Sequence, residues 1–380
     1  MKSGFRVEGL RKSYGTNTIV DDLELPIEAG EFIVLLGPSG CGKTTTLRCL
    51  AGLETPEAGR ISFGDRTVFD SAARVAVPAH KRNIGMVFQS YALWPNKTVR
   101  QNIAYPLTVR RMSGALRGGA VERAAEMVDC ANLLDRYPGQ LSGGQQQRVA
   151  VARGLVAEPD LVLFDEPLSN LDARLRDQVR TQIHQLHQDL RFTAVFVTHD
   201  QSEALALADR LAVMRAGRLE QFDTPQRVYE EPATEYVAAF MGMSNRLELT
   251  RRPEGWATES GDVVDLGDHP SPAGERAVVR LRPEDLRLHR AADDVPAGHR
   301  GLSGVLVTSE YAGRTYDVLV EVDGRRLQAR ADGRDSGDWL RASGPGTPVT
   351  VSFAPAHLRV FSGTTADPAD VSTVPIGAGV

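Results

Sequence analysis

Cysteine is scarce in this chain of 380 residues: only Cys41, Cys49 and Cys130 occur, with no C-x-x-C pair among them. An odd, unpaired set provides no disulfide framework and points to a reducing, cytoplasmic setting. Long apolar runs are absent as well. None reaches the roughly 20 residues that a membrane-spanning helix needs, and residues 1–8 carry no apolar signal core. The formal net charge is −5, with no block of Lys and Arg, which argues against a nucleic-acid surface. There is no internal repeat and no heptad run. What is present, 42% hydrophobic and 24% charged residues, reads as a soluble globular protein of two or three domains.

Three apolar runs, 32–36, 161–164 and 194–197, have the near-continuous pattern of strands covered on both faces of a parallel sheet. Each leads straight into polar residues, and ligand sites of open α/β sheets lie at the carboxyl ends of strands. Residues 145–156 and 173–190 read as helices between them, which is an α/β alternation. Residues from about 90 to 141 read as a helical insertion. Its segments 101–109 and 120–134 are separated by Ser113-Gly114 and Gly118-Gly119. After about Gly242, short alternating segments recur at 277–281, 304–307, 316–322, 326–330, 349–353 and 358–361, and Asp323-Gly324 is a hairpin signal. The expected organisation is an α/β domain over 1–240, a β domain over 241–361 and a disordered tail over 362–380.

The first of the three strands feeds Gly37-Pro38-Ser39-Gly40-Cys41-Gly42-Lys43-Thr44, which fits G-x-x-x-x-G-K-[ST]. In this context the loop N–H groups wrap phosphates, Lys43 supplies a cation and the Thr44 hydroxyl can ligate Mg²⁺. The competing reading, a Gly-rich turn that meets the pattern by chance, loses weight with each further motif. Cys41 reads as a small residue that fits the loop, with a thiol open to the question of alkylation. Further on, Leu141-Ser142-Gly143-Gly144-Gln145-Gln146-Gln147-Arg148 opens a helix. Ser142 serves there as an ordinary N-cap or as part of a second anion-binding helix terminus.

The phosphate loop, the Leu-Ser-Gly-Gly-Gln run at 141–145 and the strand ending in Asp165-Glu166 together resemble the ATP-binding cassette (ABC) ATPases over residues 4–240. The resemblance implies an α/β P-loop NTPase cassette, a mostly parallel sheet with a helical subdomain inserted, followed by a small all-β, OB-like domain. It implies ATP and Mg²⁺. Gly37, Ser39, Gly40, Cys41, Gly42, Lys43, Thr44 and Thr45 would line the phosphates. Tyr14 would stack on adenine, although a buried core tyrosine is the alternative. Thr44, Gln89 and Asp165 would hold the metal. Lys43, Gln89, Glu166 and His199 would be catalytic, with Glu166 as the general base and His199 on the γ-phosphate. Ser142, Gly143, Gly144 and Gln145 would contact the ATP of a second copy, alongside Asp172 from Ser169-Asn170-Leu171-Asp172. His184, His187 and His269 read as surface residues without a role.

Val279-Arg280-Leu281-Arg282-Pro283-Glu284-Asp285-Leu286 resembles the opening of the TOBE-type domain of import ATPases. The whole chain resembles the group that serves iron(III), polyamine, phosphonate and maltose-type sugar import. Residues 81–95 and 241–246 lean toward the iron and polyamine members, with sugar, glycerol-phosphate or phosphonate import as the alternative. The implied partners are a second copy, transmembrane permease subunits and, indirectly, a solute-binding protein, with the chain peripheral on the cytoplasmic face of the cell membrane. A soluble cassette protein outside transport is the reading of another class, and one cassette without heptads or a basic surface argues against it. Asn96-Lys97 and the glycines Gly114, Gly118 and Gly119 depart from the family's pattern in the region expected to meet the permease.

Overall fold

The computed structural model describes residues 4–291 and 293–363. The chain divides into two compact units, Met1–Val228 and Tyr229–Val380, earlier than the expected boundary at 240. Two arginines account for the difference. Arg282 donates to the carbonyls of Tyr229, at 2.6 Å, and of Met241. Arg280 donates to Glu235 Oε1 at 2.8 Å. Both belong to the Val-Arg-Leu-Arg motif, so residues 229–241 are held by the second unit.

The first unit contains two sheets. One is antiparallel, in the order β2-β1-β4-β5-β6. It comprises β1 (Phe5–Tyr14), β2 (Asn17–Ile27), β4 (Ala58–Phe63), β5 (Arg66–Asp70) and β6 (Val75–Ala76). The other contains β3 (Phe32–Leu36), β7 (Ile84–Val87), β8 (Leu161–Asp165), β9 (Ala194–Thr198), β10 (Arg210–Arg215) and β11 (Arg218–Asp223). Its order is β11-β10-β3-β9-β8-β7, parallel except for β11. The three apolar runs are its central strands β3, β9 and β8. The antiparallel sheet was not foreseen, because half-buried strands lack a continuous apolar run.

Helix α1 (Lys43–Ala51) packs between the sheets. Its Leu47 and Leu50 share one apolar cluster with Val7, Leu10 and Leu23 of the first sheet and Ile33, Leu35 and Val197 of the second. On the opposite face of the parallel sheet Phe32, Phe164 and Phe196 pack with ring centroids 5.7–6.0 Å apart. Expected at the surface from sequence, His187 belongs instead to this buried layer. It is 3% exposed, edge-on to Phe32, with Nε2 3.0 Å from the Gly30 carbonyl, and burial pushes its pKa down.

The insertion contains α2 (Val99–Val109), α3 (Ser113–Arg117) and α4 (Ala120–Glu126), then α5 (Gly143–Leu155) leads back to β8. The segment expected to be helical over 120–134 stops at Glu126, and Asp129 adopts a left-handed φ of 53° that breaks it. Residues 113–117 form a turn of helix despite Gly114. The return helix α5 lies so close to β7 that a Cβ on Gly85 would stand 2.1 Å from the Gly154 carbonyl oxygen. Two more helices, α6 (Ala173–Leu190) and α7 (Gln201–Leu207), complete the layer, and α8 (Pro225–Glu230) contains the division between units.

In the second unit α9 (Glu235–Phe240) precedes two five-stranded sheets. One has the order β14-β13-β12-β15-β21, from β12 (Asn245–Arg252), β13 (Gly255–Ala257), β14 (Val263–Val264), β15 (Arg276–Leu281) and β21 (Arg359–Ser362). The other has the order β16-β20-β17-β18-β19, from β16 (Arg287–Arg290), β17 (Arg300–Ala312), β18 (Thr315–Val322), β19 (Arg325–Asp332) and β20 (Pro348–Phe353). A single apolar core joins them. Asp323 and Gly324, with φ of 51° and 69°, form the turn between β18 and β19. One helix, α10 (Gly333–Ala342), interrupts the strands. Ser362, expected to begin a tail, instead pairs with Ala277; residues 364–380 of that expected tail lie outside the described residues. Among the described residues no helix is long and apolar enough to cross a membrane.

Candidate nucleotide site

The parallel sheet brings four segments to its carboxyl edge in the order β3, β9, β8, β7. They deliver residues 37–45, His199, the pair Asp165-Glu166, and Gln89. Gly42 has a left-handed φ of 103°, and a Cβ there would lie 2.5 Å from the Ile19 carbonyl oxygen. Only glycine fits this turn from loop to helix. Gly37 is equally confined, since its Cβ would stand 2.5 Å from the Met214 carbonyl oxygen. At Gly40 the same test meets open space. Ser39 is exposed and Cys41 buried.

Lys43 is 5% exposed. Its ammonium donates to the carbonyls of Gly37, at 2.7 Å, and Pro38, at 2.9 Å, and lies 3.7 Å from Cys41 Sγ. The next residue makes the contact that joins two motifs: Thr44 Oγ1 donates to Asp165 Oδ1 at 3.1 Å. Burial holds the Asp165 carboxyl above its ordinary pKa, opposed by this hydrogen bond.

Glu166 adopts a left-handed φ of 43° directly after β8. A non-glycine residue persists there only when its surroundings over-determine it. Here the N–H donates to the Val197 carbonyl at 3.1 Å, and the carbonyl accepts from Ser169 Oγ at 2.9 Å. The side chain turns toward β9, where Oε2 lies 3.3 Å from His199 Nδ1.

Gln89 follows β7 and is exposed. Its carbonyl accepts from Asn170 Nδ2 at 3.0 Å. Tyr14 is 47% exposed, which excludes the buried-core alternative, and it neighbours Glu54 and Thr45.

Residues 142–145 lie elsewhere. Ser142 and Gln145 form a capping box: the Ser142 hydroxyl accepts from the Gln145 N–H, and Gln145 Oε1 accepts from the Ser142 N–H. A Cβ on Gly144 would meet Leu175 at 2.5 Å, and one on Gly143 would meet Leu171 at 3.4 Å. Asp172 caps α6, accepting from the Leu175 N–H at 3.0 Å. No hydrogen bond among the described residues joins 142–145 to the phosphate loop of the same chain.

Several supporting residues escaped the sequence reading. Thr198 Oγ1 donates to Glu203 Oε2 at 2.7 Å, and Glu203 is buried. Asp200 caps α7, and Arg176 lies 3.5 Å from Asp200 and 3.8 Å from Glu203. These contacts set the turn that carries His199. The spacing of Asp200 and Glu203 was a visible capping signal; Arg176 had none, and Asn170 was visible only as part of Ser169-Asn170-Leu171-Asp172.

Residues 20–169 match the ABC transporter family and residues 279–361 the TOBE domain. An Fe(3+) ions import ATP-binding protein from Rhizobium etli is 47% identical over 324 residues, covering 83% of this chain and 87% of the relative. A sulfoquinovosyl glycerol transport ATP-binding protein from Agrobacterium fabrum is 52% identical over 233 residues, 61% of this chain and 63% of the relative. A spermidine/putrescine import ATP-binding protein from Nitratidesulfovibrio vulgaris is 42% identical over 359 residues, 91% of this chain and 94% of the relative. The chain therefore belongs to the ABC transporter family, among its ATP-hydrolysing import subunits with a C-terminal TOBE domain.

Proposed function

We propose that the chain hydrolyses ATP at the edge formed by β3, β9, β8 and β7 and so energises solute uptake through a membrane permease, docked on the permease's cytoplasmic face. The Thr44–Asp165 hydrogen bond of 3.1 Å carries the reading. It brings a hydroxyl at the start of a helix and a carboxylate at the end of a strand together, beside a loop of backbone donors. Hard oxygens so arranged fit Mg²⁺, and we assign Thr44, Asp165 and the Gln89 side chain to it. When bound, the ion offsets charge on the transferred phosphoryl group.

Phosphoryl transfer to water leaves the protein mainly positioning and charge stabilisation. Lys43 exchanges its bonds to the Gly37 and Pro38 carbonyls for phosphate oxygens. Glu166 orients the attacking water and accepts its proton. His199, beside Glu166, donates to the γ-phosphate. Tyr14 offers its exposed ring to adenine. We assign the α5 terminus with Ser142, Gly143, Gly144 and Gln145, together with Asp172, to the ATP held by a second copy in a head-to-tail homodimer. Gly143 and Gly144 pack on Leu171 and Leu175, and among the described residues no hydrogen bond joins 142–145 to residues 37–45, which supports this. The permease contact we assign to an apolar groove of about 320 Å³ lined by Phe88, Ala92, Trp94, Pro106, Arg110 and Arg153.

Iron(III) or a polyamine is the solute class we favour, from relatives of those import systems that cover both units, although an sn-glycerol-3-phosphate import relative covers both units as well. The relative of sulfoquinovosyl glycerol transport, 52% identical over a shorter span, favours a sugar-derived solute as second reading. Affinity purification of the tagged chain from its native membranes, with mass spectrometry, tests the assignment. A co-purifying multi-span permease supports import and yields the component to screen against iron, polyamines and sugars. Ribosomal or DNA-repair partners without a membrane protein would overturn the transport role.

A further inference from the structure

The segment after Gln89 is held in an unusual backbone conformation by a residue from another element. Tyr91 and Ala92 are consecutive left-handed residues, with φ of 62° and 48°. Neither is glycine, and such pairs are sterically disfavoured for L-residues. Arg153, in the last turn of α5, donates Nη2 to the Tyr91 carbonyl at 2.8 Å and Nη1 to the Ala92 carbonyl at 2.6 Å. Arg153 is 6% exposed, and its guanidinium lies 5.1 Å from the centre of the Trp94 ring. Burial lowers its pKa to about 10, so it stays charged at neutral pH.

We infer that Arg153 is a positioning residue for Gln89. The planar fork matches two adjacent carbonyls, which a single ammonium does not. It holds the turn two residues beyond Gln89, while Asn170 Nδ2 donates to the Gln89 carbonyl at 3.0 Å. Gln89 is thus suspended between α5, which begins at Gly143, and the segment next to Glu166. Without the fork, two carbonyls lose their donors and the left-handed pair relaxes, which moves Gln89 relative to Asp165 and Thr44. Arg153 and Trp94 also form a wall of the apolar groove, so anything seated there meets the residue that fixes Gln89.

The inference rests on the reading of this edge as an ATPase site, and a double-mutant cycle tests it. Arg153→Met is expected to lower kcat for Mg-ATP by about tenfold to a hundredfold, as for a misplacement of about 1 Å, with KM for ATP within about twofold of wild type. In a Gln89→Ala background the same substitution should then change kcat by less than about twofold, since a residue acting through Gln89 has nothing left to position. A merely structural role would give losses that multiply, and that result overturns the inference while leaving the ATPase reading intact. So does wild-type kcat in Arg153→Met. If that variant does not fold, Arg153→Lys in the same cycle carries the test. A wild-type chain that hydrolyses no Mg-ATP overturns the reading of the edge and this inference with it.

Discussion

The Nδ1 of His199 lies 3.3 Å from Oε2 of Glu166. Two strands deliver these residues, and the left-handed backbone at Glu166 turns the carboxylate toward β9. Glu166→Gln should lower turnover by about a hundredfold or more, the usual contribution of a positioned base. It should also leave Mg-ATP bound and the closed dimer accumulated. Phosphate release and light scattering in Mg-ATP read both effects. A monomer with wild-type turnover would rule out the assignment.

The turn under His199 depends on a buried acid. Thr198→Val removes the 2.7 Å hydrogen bond to the Glu203 carboxylate, and burial already pushes that carboxyl's pKa up. A hydrogen bond to a charged group contributes about 2 kcal/mol, so urea unfolding should show a loss of that order. Turnover should fall as well, because His199 is the next residue. An unchanged midpoint would mean that Glu203 is satisfied otherwise.

Asp165 makes stability depend on pH. Its carboxyl is raised above the ordinary 3.8, chiefly by burial. A group with a raised folded value contributes stability that is complete below the unfolded value and is lost as pH rises through the folded value. Asp165→Asn removes the ionised form. In Mg-free buffer the variant should gain melting temperature over wild type, more at pH 7 than at pH 4, while losing hydrolysis. Equal differences at the two pH values would contradict this.

Gly85 carries the contact of β7 with α5. Gly85→Ala puts a methyl 2.1 Å from a backbone oxygen of Gly154, which a side-chain rotation does not relieve. The expected loss is about 3 kcal/mol, at the upper end for overpacking. Thermal or urea unfolding measures it; a loss below about 0.5 kcal/mol, the range of surface substitutions, would mean that the helix shifts freely.

All three cysteines are buried, and burial pushes their thiols up, Cys49 to about 12 and Cys130 to about 11. The thiolate is the reactive form. Native protein at pH 7 should therefore react slowly with a thiol reagent, faster as pH rises, and show all three groups only on unfolding. A bulky maleimide that does reach Cys41, 3.7 Å from the Lys43 ammonium, should abolish hydrolysis. Full activity after labelling at Cys41 would show that the loop tolerates it.

The features legible in the sequence were those with a local physical signature. Continuous apolar runs marked β3, β8 and β9, since strands covered on both faces need no alternation. Gly42 was legible because one turn admits no side chain. Asp323-Gly324 was legible because a two-residue hairpin asks for left-handed residues. Less readable elements had weaker signatures. The antiparallel sheet alternates only partly, α4 stops at Glu126 shortly before the left-handed Asp129, and His187 looks polar until Phe32 covers it.

By itself the sequence determined which chemistry reaches the sheet edge, because each motif directly follows a buried strand whose direction the parallel order dictates. The tertiary structure alone decided which groups touch. Thr44 meets Asp165 across 121 residues of chain, and Arg153 meets Tyr91 across 62. It also decided that residues 229–241 belong to the second unit, through Arg280 and Arg282. Contacts over such separations depend on how elements pack, and no local preference of the chain encodes them.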